Sequence, residues 1–454
     1  MRKKQQEQLN LFHIFGKSEI AKELSAISLL LDANPKVLDL VYSDLTKDCR
    51  ADTGAVGMTA EQVLRVGILK QYRQLDYREL AFHLGDSKAF RAFARLEMGH
   101  YPSFQALQDN VIKISDPSWE AINAIIVQYA VAIGVETGRK ARFDATAVES
   151  AILEPSDSSL LCDGVRILTR WLLIGKRFKL PGTYTNPDHR RVMKKRFTLI
   201  LNSKKDEVKV AGYKDQIKYA QLVCGYAETA LPIIEKAVCK TPEEQAALDK
   251  LAAKIRNAKT LQMRVIDQTE RRVIKKESVP AKEKVTSFFQ SHTDIIVKKN
   301  RETTFGHKVV FASGSSNLLT DCFMERGNPA DTVQFMPMLE RQEKIYGRMP
   351  SQLATDGGYA SKDNLAKAKA AGVKDVSFSK KRGLEVLDMV KSNWVYKQLK
   401  NFRAGIEANI SHLKRSFGLR RCNWSGWEGF KKYVFSSVVS YNLLVLARLK
   451  LKVT

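Results

Sequence analysis

The chain has 454 residues, and its 75 Lys and Arg outnumber its 49 Asp and Glu, giving a formal charge of 75 − 49 = +26. An apolar share of 44% and an aromatic share of 9% are typical of globular proteins and exclude wholesale disorder. The length predicts two to four domains. Because so large an excess of positive charge repels itself, it indicates an anionic partner, either nucleic acid or an anionic membrane surface.

Three features argue against secretion and against a membrane. The charged N-terminus, Met1–Gln6, leads into no apolar segment, so we expect no secretory signal. The longest apolar stretch, Tyr433–Ala447, is interrupted by serines and an asparagine and is too short to span a bilayer. The six cysteines lie far apart without CxxC spacing, which favours reduced thiols in a cytoplasmic protein. Nucleic acid is therefore the expected partner.

The first 125 residues are predicted to be helical. Thr59 and Gln62 have the spacing of a capping box, and Asp86 or Ser87 is a natural start for a later helix. Short helices joined by polar turns are compatible with a helix-turn-helix DNA-binding module. They are equally compatible with a plain helical dimerisation module, so residues 1–125 are predicted to be an all-α DNA-binding or dimerisation domain.

The middle of the chain changes from helix to strand and back. Alternating polar and apolar residues predict a strand over 142–148, and a second strand-rich region begins near Thr293. Residues 156–289 between them have helical periodicity and many basic residues, and Thr241 is predicted to cap a long helix within them. We therefore predict an α/β domain with a mixed sheet, made of 126–155 and 290–454 and split by a basic helical insertion. Two independent domains in sequence would leave the first strand without a sheet.

The last third continues the α/β pattern. Gln352–Tyr359 is predicted to be a strand that ends in a turn, Ser361 to cap the next helix, and Val373–Phe378 to be another strand. A long helix is expected over Tyr396–Phe417, and a mostly apolar one over Trp427–Leu449.

Two aspartates stand in predicted strands or at their ends. Asp144 lies between Phe143 and Ala145, and Asp356 directly precedes two glycines. A carboxylate in a strand that is apolar on both sides is costly unless it meets a cation or a hydrogen-bond donor. Two such carboxylates suggest a shared Mg²⁺ site, since Mg²⁺ binds through one or two carboxylates, waters and phosphate oxygens. The alternative is that an aspartate only caps the following turn, above all Asp356.

The long helix carries a third carboxylate between two cations. At about 100° per residue, Glu407 lies roughly 40° from Arg403 and Lys414 roughly 20° from it, so the three share one narrow stripe. A glutamate flanked by cations suits a metal-binding carboxylate beside phosphates. The alternative is an ordinary surface ion pair worth a few tenths of a kcal/mol.

These motifs together resemble the DDE transposases of bacterial insertion sequences, specifically the IS-five/ISNCY-like group. Arg403, Glu407 and Lys414 match the Arg-x3-Glu-x6-Lys part of the family signature, while Lys400 stands where the family has Tyr. The segments that begin at Asp144 and at Thr355 resemble those of the two catalytic aspartates, and 45–115 resembles the family's helical N-terminal region.

The resemblance implies an RNase H-like fold in which Asp144, Asp356 and Glu407 bind two Mg²⁺ or Mn²⁺ ions. It implies a transposase that binds the terminal inverted repeats of its element, cleaves there and transfers the strands to target DNA, with the two ends held by a homodimer near the nucleoid. Two alternatives remain open. One is a metal-dependent nuclease without strand transfer, and the other is a non-catalytic DNA-binding regulator.

Basic residues near this stripe predict a path for DNA. Residues 380–454 contain 16 Lys and Arg against 4 Asp and Glu, a net charge of 16 − 4 = +12. Trp424 and Trp427 suit either base stacking or the core. The predicted DNA-binding residues are Arg403, Lys414, Arg415, Arg420, Arg421 and, on a strand, Lys308.

Overall fold

The computed structural model describes residues 2–5, 18–47, 57–97, 99–297 and 303–453. By its internal contacts the chain divides into two compact units. Unit 1 combines 1–151 with 306–454, and unit 2 is 152–305. A helical segment therefore interrupts a larger unit that contains both ends of the chain.

Helices dominate both units. Those of the described residues in unit 1 are α1 (Glu19–Asp32), α2 (Lys36–Thr46), α3 (Ala60–Arg73), α4 (Tyr77–Asp86), α5 (Lys88–Phe93), α6 (Phe104–Val111), α7 (Asp116–Ala132), α12 (Asp331–Tyr346), α13 (Lys362–Ala370), α14 (Val386–Met389), α15 (Asn393–Ser416) and α16 (Gly426–Val453). Those of unit 2 are α8 (Asp157–Gly175), α9 (Arg190–Asn202), α10 (Asp206–Glu235) and α11 (Pro242–Thr269).

Several helices begin where capping residues predicted a start. Thr59 and Gln62 form the capping box of α3, Ser87 caps α5, Thr241 caps α11 and Ser361 caps α13. Each cap gives an otherwise unpaired amide of the first turn a side-chain acceptor. The predicted helix starts are confirmed. They were predictable because a cap depends only on residues that are close in sequence.

The strands are β1 (Lys140–Ser150), β2 (Asp294–Ile296), β3 (Thr304–Ser313), β4 (Leu319–Met324), β5 (Gln352–Thr355), β6 (Asp375–Phe378) and β7 (Arg421–Cys422). β1 is the central strand of unit 1. It pairs antiparallel with β3 and parallel with β5, β4 pairs antiparallel with β3, and β6 pairs parallel with β5. β7 continues the β5 edge of β1, with Glu149 opposite Arg421. A mixed sheet that includes the strand around Phe143 is thus confirmed.

Each face of this sheet has its own core. Along β3, Val309 and Phe311 join a cluster with the N-terminal helices and α16, whereas Val310 and Ala312 join a cluster with α12 and α13. The alternation follows from the period of two along a strand. Since buried residues of the N-terminal helices share the first cluster with the last helix, these helices pack as part of unit 1. The predicted domain boundaries stay a prediction.

The C-terminal helix α16 is longer than predicted. Its residues Gly426–Lys452 are long and apolar enough to cross a membrane, but 72% of its most apolar window is buried inside the structure. Its polar side chains are satisfied internally. Asn442 accepts from the Leu319 amide (2.9 Å) and donates to Asn123 Oδ1 (2.8 Å). These contacts are those of a core helix.

Unit 2 has a separate apolar core formed by its four helices. Leu161, Ile217, Ile255 and Val265 are among the buried residues that join α8, α10 and α11. Five cysteines of the described residues are free thiols, while Cys49 lies outside those residues.

Candidate active site

The register of the parallel strands places three polar residues in one row. Phe143 lies opposite Thr355, and Thr355 lies opposite Phe378. The residues that follow these three are Asp144, Asp356 and Ser379. Since adjacent strands lie about 4.8 Å apart, the row brings the two predicted catalytic aspartates next to each other.

Asp356 is held as a carboxylate by its neighbours. Ser379 donates to Asp356 Oδ1 (2.7 Å), and the Gly357 amide donates to Ser379 Oγ (2.9 Å). Burial raises the pKa of Asp356, but the Ser379 bond, the Gly357 amide and the charges of Arg403 and Lys380 together lower it below its ordinary value. Apart from this interaction with the Gly357 amide, the side chain makes no N-cap hydrogen bond to the turn Gly357–Tyr359 that follows it. Ser379 on the chain after β6 is therefore a more specific partner of Asp356 than the turn.

The charge of Lys380 acts on this carboxylate because Lys380 packs closely against Gly357, which has no side chain. A Cβ at Gly357 would lie 2.5 Å from Lys380 Cβ, which is closer than real Cβ contacts. The glycine thus permits a close approach of the chain after β6 to the chain after β5.

Asp144 has the opposite electrostatic situation. Its side chain is 19% exposed, and Oδ1 accepts from the Ala145 amide (2.8 Å). The pKa of Asp144 is raised to about 6, chiefly by burial and also by the negative charges of Asp356 and Glu407, against the Ala145 bond and Arg403. The site therefore places two further carboxylates near enough to repel the charge of Asp144.

Helix α15 brings Arg403 and Glu407 over β1. Arg403 Nη2 contacts Glu407 Oε1 (2.8 Å), and Arg403 Nη1 lies 3.7 Å from Asp144 Oδ2. Arg403 is 18% exposed and Glu407 57% exposed. The pair is thus not the simple surface pair of the alternative interpretation, because its arginine is mostly enclosed and also faces Asp144.

A buried arginine fixes the position of α15 on the sheet. Arg142, two residues before Asp144 on the same face of β1, is 4% exposed and donates to the Phe402 carbonyl (2.7 Å) and Asn317 Oδ1 (2.7 Å). A Cβ at Gly405 would lie 2.0 Å from Arg142 Nη1. Gly405 therefore lets the guanidinium enter between helix and strand, about half a turn from both Arg403 and Glu407.

Beside the carboxylates the described residues of unit 1 form a cleft of about 960 Å³. Its charged lining residues are Asp144, Glu407, Lys414, Arg415, Arg420 and Arg421. Arg415, Arg420 and Arg421 are exposed. The structure thus brings two predicted carboxylates and four predicted DNA-binding cations to one open cleft.

The other predicted residues lie outside this lining. Asp356 is in the strand row, and Arg403 is between Asp144 and Glu407. Lys308 Nζ contacts Asp331 Oδ1 (2.7 Å), so its nearest anion is a protein carboxylate. Lys414, which does line the cleft, donates to the Ala147 carbonyl (3.0 Å).

The two tryptophans pack against the core. Trp424 contacts Tyr433, with ring centroids 6.1 Å apart, and Trp427 stacks on Phe430 at 5.8 Å. His307 is buried between Trp427 and Phe430. These contacts favour the core alternative for both tryptophans and a structural role for His307.

Carboxylate oxygen is the ligand type that Mg²⁺ prefers, and Asp144 has two further carboxylates, Asp356 and Glu407, near enough to raise its pKa. The described part of the chain contains no group of three acidic, His or Cys side chains that could hold a metal ion as they stand. The cation that faces both Asp144 and Glu407 in the structure is Arg403.

Several contributors to the site were not predicted from the sequence. Ser379 was detectable in principle, because it follows β6 as Asp144 and Asp356 follow their paired residues. Arg142 carried a weaker signal, an arginine two residues before the aspartate on the same strand face. Lys380 and Gly405 act through close approach between distant segments, which sequence periodicity does not report.

The comparisons add one finding. Residues 259–443 match the family described as the transposase DDE domain, which supports a DDE transposase. The matched stretch covers less than half of the chain, and it includes Asp356 and Glu407 but not Asp144. No curated protein and no solved structure matches the chain.

Proposed function

We propose that this chain is a DNA transposase that binds the terminal inverted repeats of an insertion sequence and catalyses Mg²⁺-dependent cleavage and strand transfer. The carrying observation is that Asp356 and Glu407 lie near enough to Asp144 to raise its pKa, and that Asp144 and Glu407 line a cationic cleft. The similarity of 259–443 to the transposase DDE domain supports it independently.

In this proposal the three carboxylates hold divalent ions, Mg²⁺ or Mn²⁺, with two expected. Bound there, the ions supply activation of water or a 3′-hydroxyl and stabilisation of the leaving oxygen at phosphorus. The protein's own contribution is position. Ser379 and Lys380 keep Asp356 ionised, and Arg142 fixes the distance of α15 from β1. Without DNA, Arg403 pairs with Glu407. When DNA binds, Arg403 leaves Glu407 and pairs with a DNA phosphate instead.

The cleft cations bind the DNA backbone. Lys414, Arg415, Arg420 and Arg421 line the same cleft as Asp144 and Glu407, so phosphates held by them lie beside the carboxylates. Contacts to phosphate position the duplex without reading its sequence. Arg403 and Lys308 complete the proposed set, each by exchanging a protein carboxylate for phosphate.

The finer assignments are part of the same proposal. The mixed sheet and its carboxylate row support an RNase H-like catalytic domain of 126–155 and 290–454, with 1–125 as a helical DNA-binding or dimerisation domain and 156–289 as an insertion. We place the chain in the IS-five/ISNCY-like group through Arg403, Glu407 and Lys414. A homodimer pairs the two element ends in the bacterial cytoplasm, at the nucleoid.

The test uses duplexes that end in the inverted repeats flanking the coding region. With Mg²⁺, the purified chain is expected to nick at the repeat end and, given a precleaved 3′-hydroxyl end, to join it to a target plasmid. Cleavage without joining would replace the proposal by a nuclease. Binding without cleavage in Mg²⁺ or Mn²⁺ would replace it by a regulator.

A further inference from the structure

Unit 2 carries much of the positive charge of the chain. Residues 152–305 contain 31 Lys and Arg and 18 Asp and Glu, a net charge of 31 − 18 = +13, half of the total. Seven of these cations fall within 190–205, a segment without any acidic residue. Most of that segment is helix α9.

Three cations form one exposed face of α9. At about 100° per residue, Arg191, Lys194 and Lys195 lie within about 100° of one another, and all three are exposed. The buried side chains of this helix, Met193 and Ile200, lie on the opposite side. We call Arg191, Lys194 and Lys195 the α9 cation face.

The cation face differs from the other arginines of the helix. Arg190 is paired with Asp188 (2.6 Å), and Arg196 is paired with Asp215 (2.9 Å). Within the described residues, Arg191 and its two lysine neighbours have no ion pair or hydrogen bond from their side chains. The residues of the α9 cation face, which point away from the core of unit 2, thus have no acidic partner in the described chain that balances their charge.

The charge pattern of α9 works against the helix itself. Cations near a helix N-terminus oppose the helix dipole, and carboxylates there favour it. Helices α8, α10 and α11 follow the favourable pattern, with Asp157, Asp206 and Glu243 among their first-turn acids, whereas the first turn of α9 contains no acid and its N-cap residue His189 makes no capping bond. Asp188, just before the helix, accepts from the Arg190 amide and pairs with the Arg190 side chain, so it offsets part of this unfavourable pattern.

We propose that the α9 cation face binds the phosphate backbone of duplex DNA without reading its sequence. The inference rests on the proposed function only in taking DNA as the partner. Three cations close together on a rigid helix provide a local anion-binding surface, and each phosphate neutralised releases counterions. This makes unit 2 a second DNA contact, separate from the cleft.

A membrane surface fits α9 less well. Helices that lie on membranes present a continuous apolar face beside their cations. The inward side chains of α9, Met193 and Ile200, are already in the core of the unit. The exposed Leu199 and Leu201 lie on opposite flanks of the cation face, since they are about 160° apart around the helix.

The test measures how DNA affinity depends on salt, with the full chain, a 30-base-pair duplex of arbitrary sequence and EDTA to prevent cleavage. The variant Arg191→Ala/Lys194→Ala/Lys195→Ala is expected to make the slope of log affinity against log salt shallower by about 2.7, at about 0.9 per phosphate contact. The matched control is Lys240→Ala/Lys250→Ala/Lys254→Ala, which removes three exposed lysines elsewhere in unit 2. The control is expected to keep most of the slope.

Three results would overturn the inference. Equal losses in both triple variants would mean that only the net charge matters, and an unchanged slope in the α9 variant would mean that this face does not contact DNA. Loss of binding to phosphatidylserine vesicles with unchanged DNA binding would assign the face to membranes instead. Because the assay measures binding and not cleavage, its outcome is independent of the proposed function. A chain that does not cut DNA can still lose salt dependence in the α9 variant, and a chain that cuts DNA can keep it.

Discussion

The two units carry the same net charge but use it differently. Unit 2 has +13, and the remainder of the chain has 44 − 31 = +13 as well. In unit 1, Arg65 is 1% exposed between Asp32 and Glu61, and Arg403 lies between two carboxylates. The three residues of the α9 cation face are exposed and lack acidic partners in the described structure. Net charge therefore predicts an anionic partner, but it does not say which cations bind it. We call buried or paired cations that hold the protein's own carboxylates and helices in place positioning cations, and exposed, unpaired cations that can bind phosphate docking cations.

The largest effect outside the carboxylates is expected from Gly405→Ala. The new methyl group would displace Arg142 or push α15 away from β1, because no room exists for it at 2.0 Å. We expect cleavage to fall by about 10²-fold, as for a catalytic group displaced by about 1 Å, and the free energy of unfolding by about 1–3 kcal/mol.

Gly225→Ala is the matched control for this substitution. Gly225 lies inside α10, where a Cβ would meet nothing within 4 Å. Removing a helix glycine there should stabilise the chain by about 0.5–1 kcal/mol and leave cleavage unchanged. Wild-type cleavage by Gly405→Ala would show that Arg142 does not position α15.

A smaller effect is expected from Arg420→Ala/Arg421→Ala in the cleft. Both side chains are exposed and line the cleft beside Asp144 and Glu407. We expect DNA affinity at 0.1 M salt to fall by about ten-fold or more, with a slope shallower by about 1.8. Cleavage should also fall when the DNA is saturating, because these cations hold the reacting end.

The α9 triple variant distinguishes the α9 cation face from the cleft when it is tested in the same binding and cleavage assays. It should weaken DNA binding but leave the cleavage rate at saturating DNA unchanged. If it slows cleavage of saturating DNA as much as the cleft variant does, the distinction between docking and positioning cations is wrong.

The smallest effect concerns a buried cation of unit 1. Lys70 is 3% exposed beneath the rings of Tyr77 and Trp424, and burial lowers its pKa to about 8. Between pH 8 and 10.5 Lys70 is protonated in the unfolded chain but mostly neutral in the folded chain. The free energy of unfolding therefore rises with pH in this range, because the cost of the buried charge is removed. Below pH 8 the full penalty of the buried charge is present.

Lys70→Met should therefore stabilise the chain most at pH 7. The difference in unfolding free energy from wild type is expected to narrow by about 1 kcal/mol between pH 7 and pH 9. Denaturant unfolding at both values measures it. A difference that does not change with pH would mean that Lys70 is hydrated in the folded state, like the cations of α9.

Local chemistry made much of the fold predictable. The caps at Thr59, Ser87, Thr241 and Ser361 start helices as expected, since a cap needs only a few neighbouring residues. The long helix was predicted over Tyr396–Phe417 and spans Asn393–Ser416, because its apolar periodicity is strong.

The parts that could not be predicted depend on distant segments. Whether Arg403 pairs with Glu407 alone or also faces Asp144 depends on how α15 lies on β1, which Arg142 and Gly405 determine from opposite sides. Lys308 was predicted from its strand position to meet phosphate, but its pairing with Asp331 depends on where α12 begins. No periodicity in the sequence contains this information.

The central claim is that Asp144, Asp356 and Glu407 form one metal-dependent site. The most direct test compares Mg²⁺-dependent nicking at an inverted-repeat end by wild type, Asp144→Asn, Asp356→Asn and Glu407→Gln. Asp363→Asn is the control, since this exposed aspartate on α13 pairs only with Lys367 in the described structure. We expect each of the three to lose nicking by at least about 10³-fold, beyond the loss of one electrostatic donor, with DNA binding retained and the control active. Nicking that persists in all three variants would contradict the account.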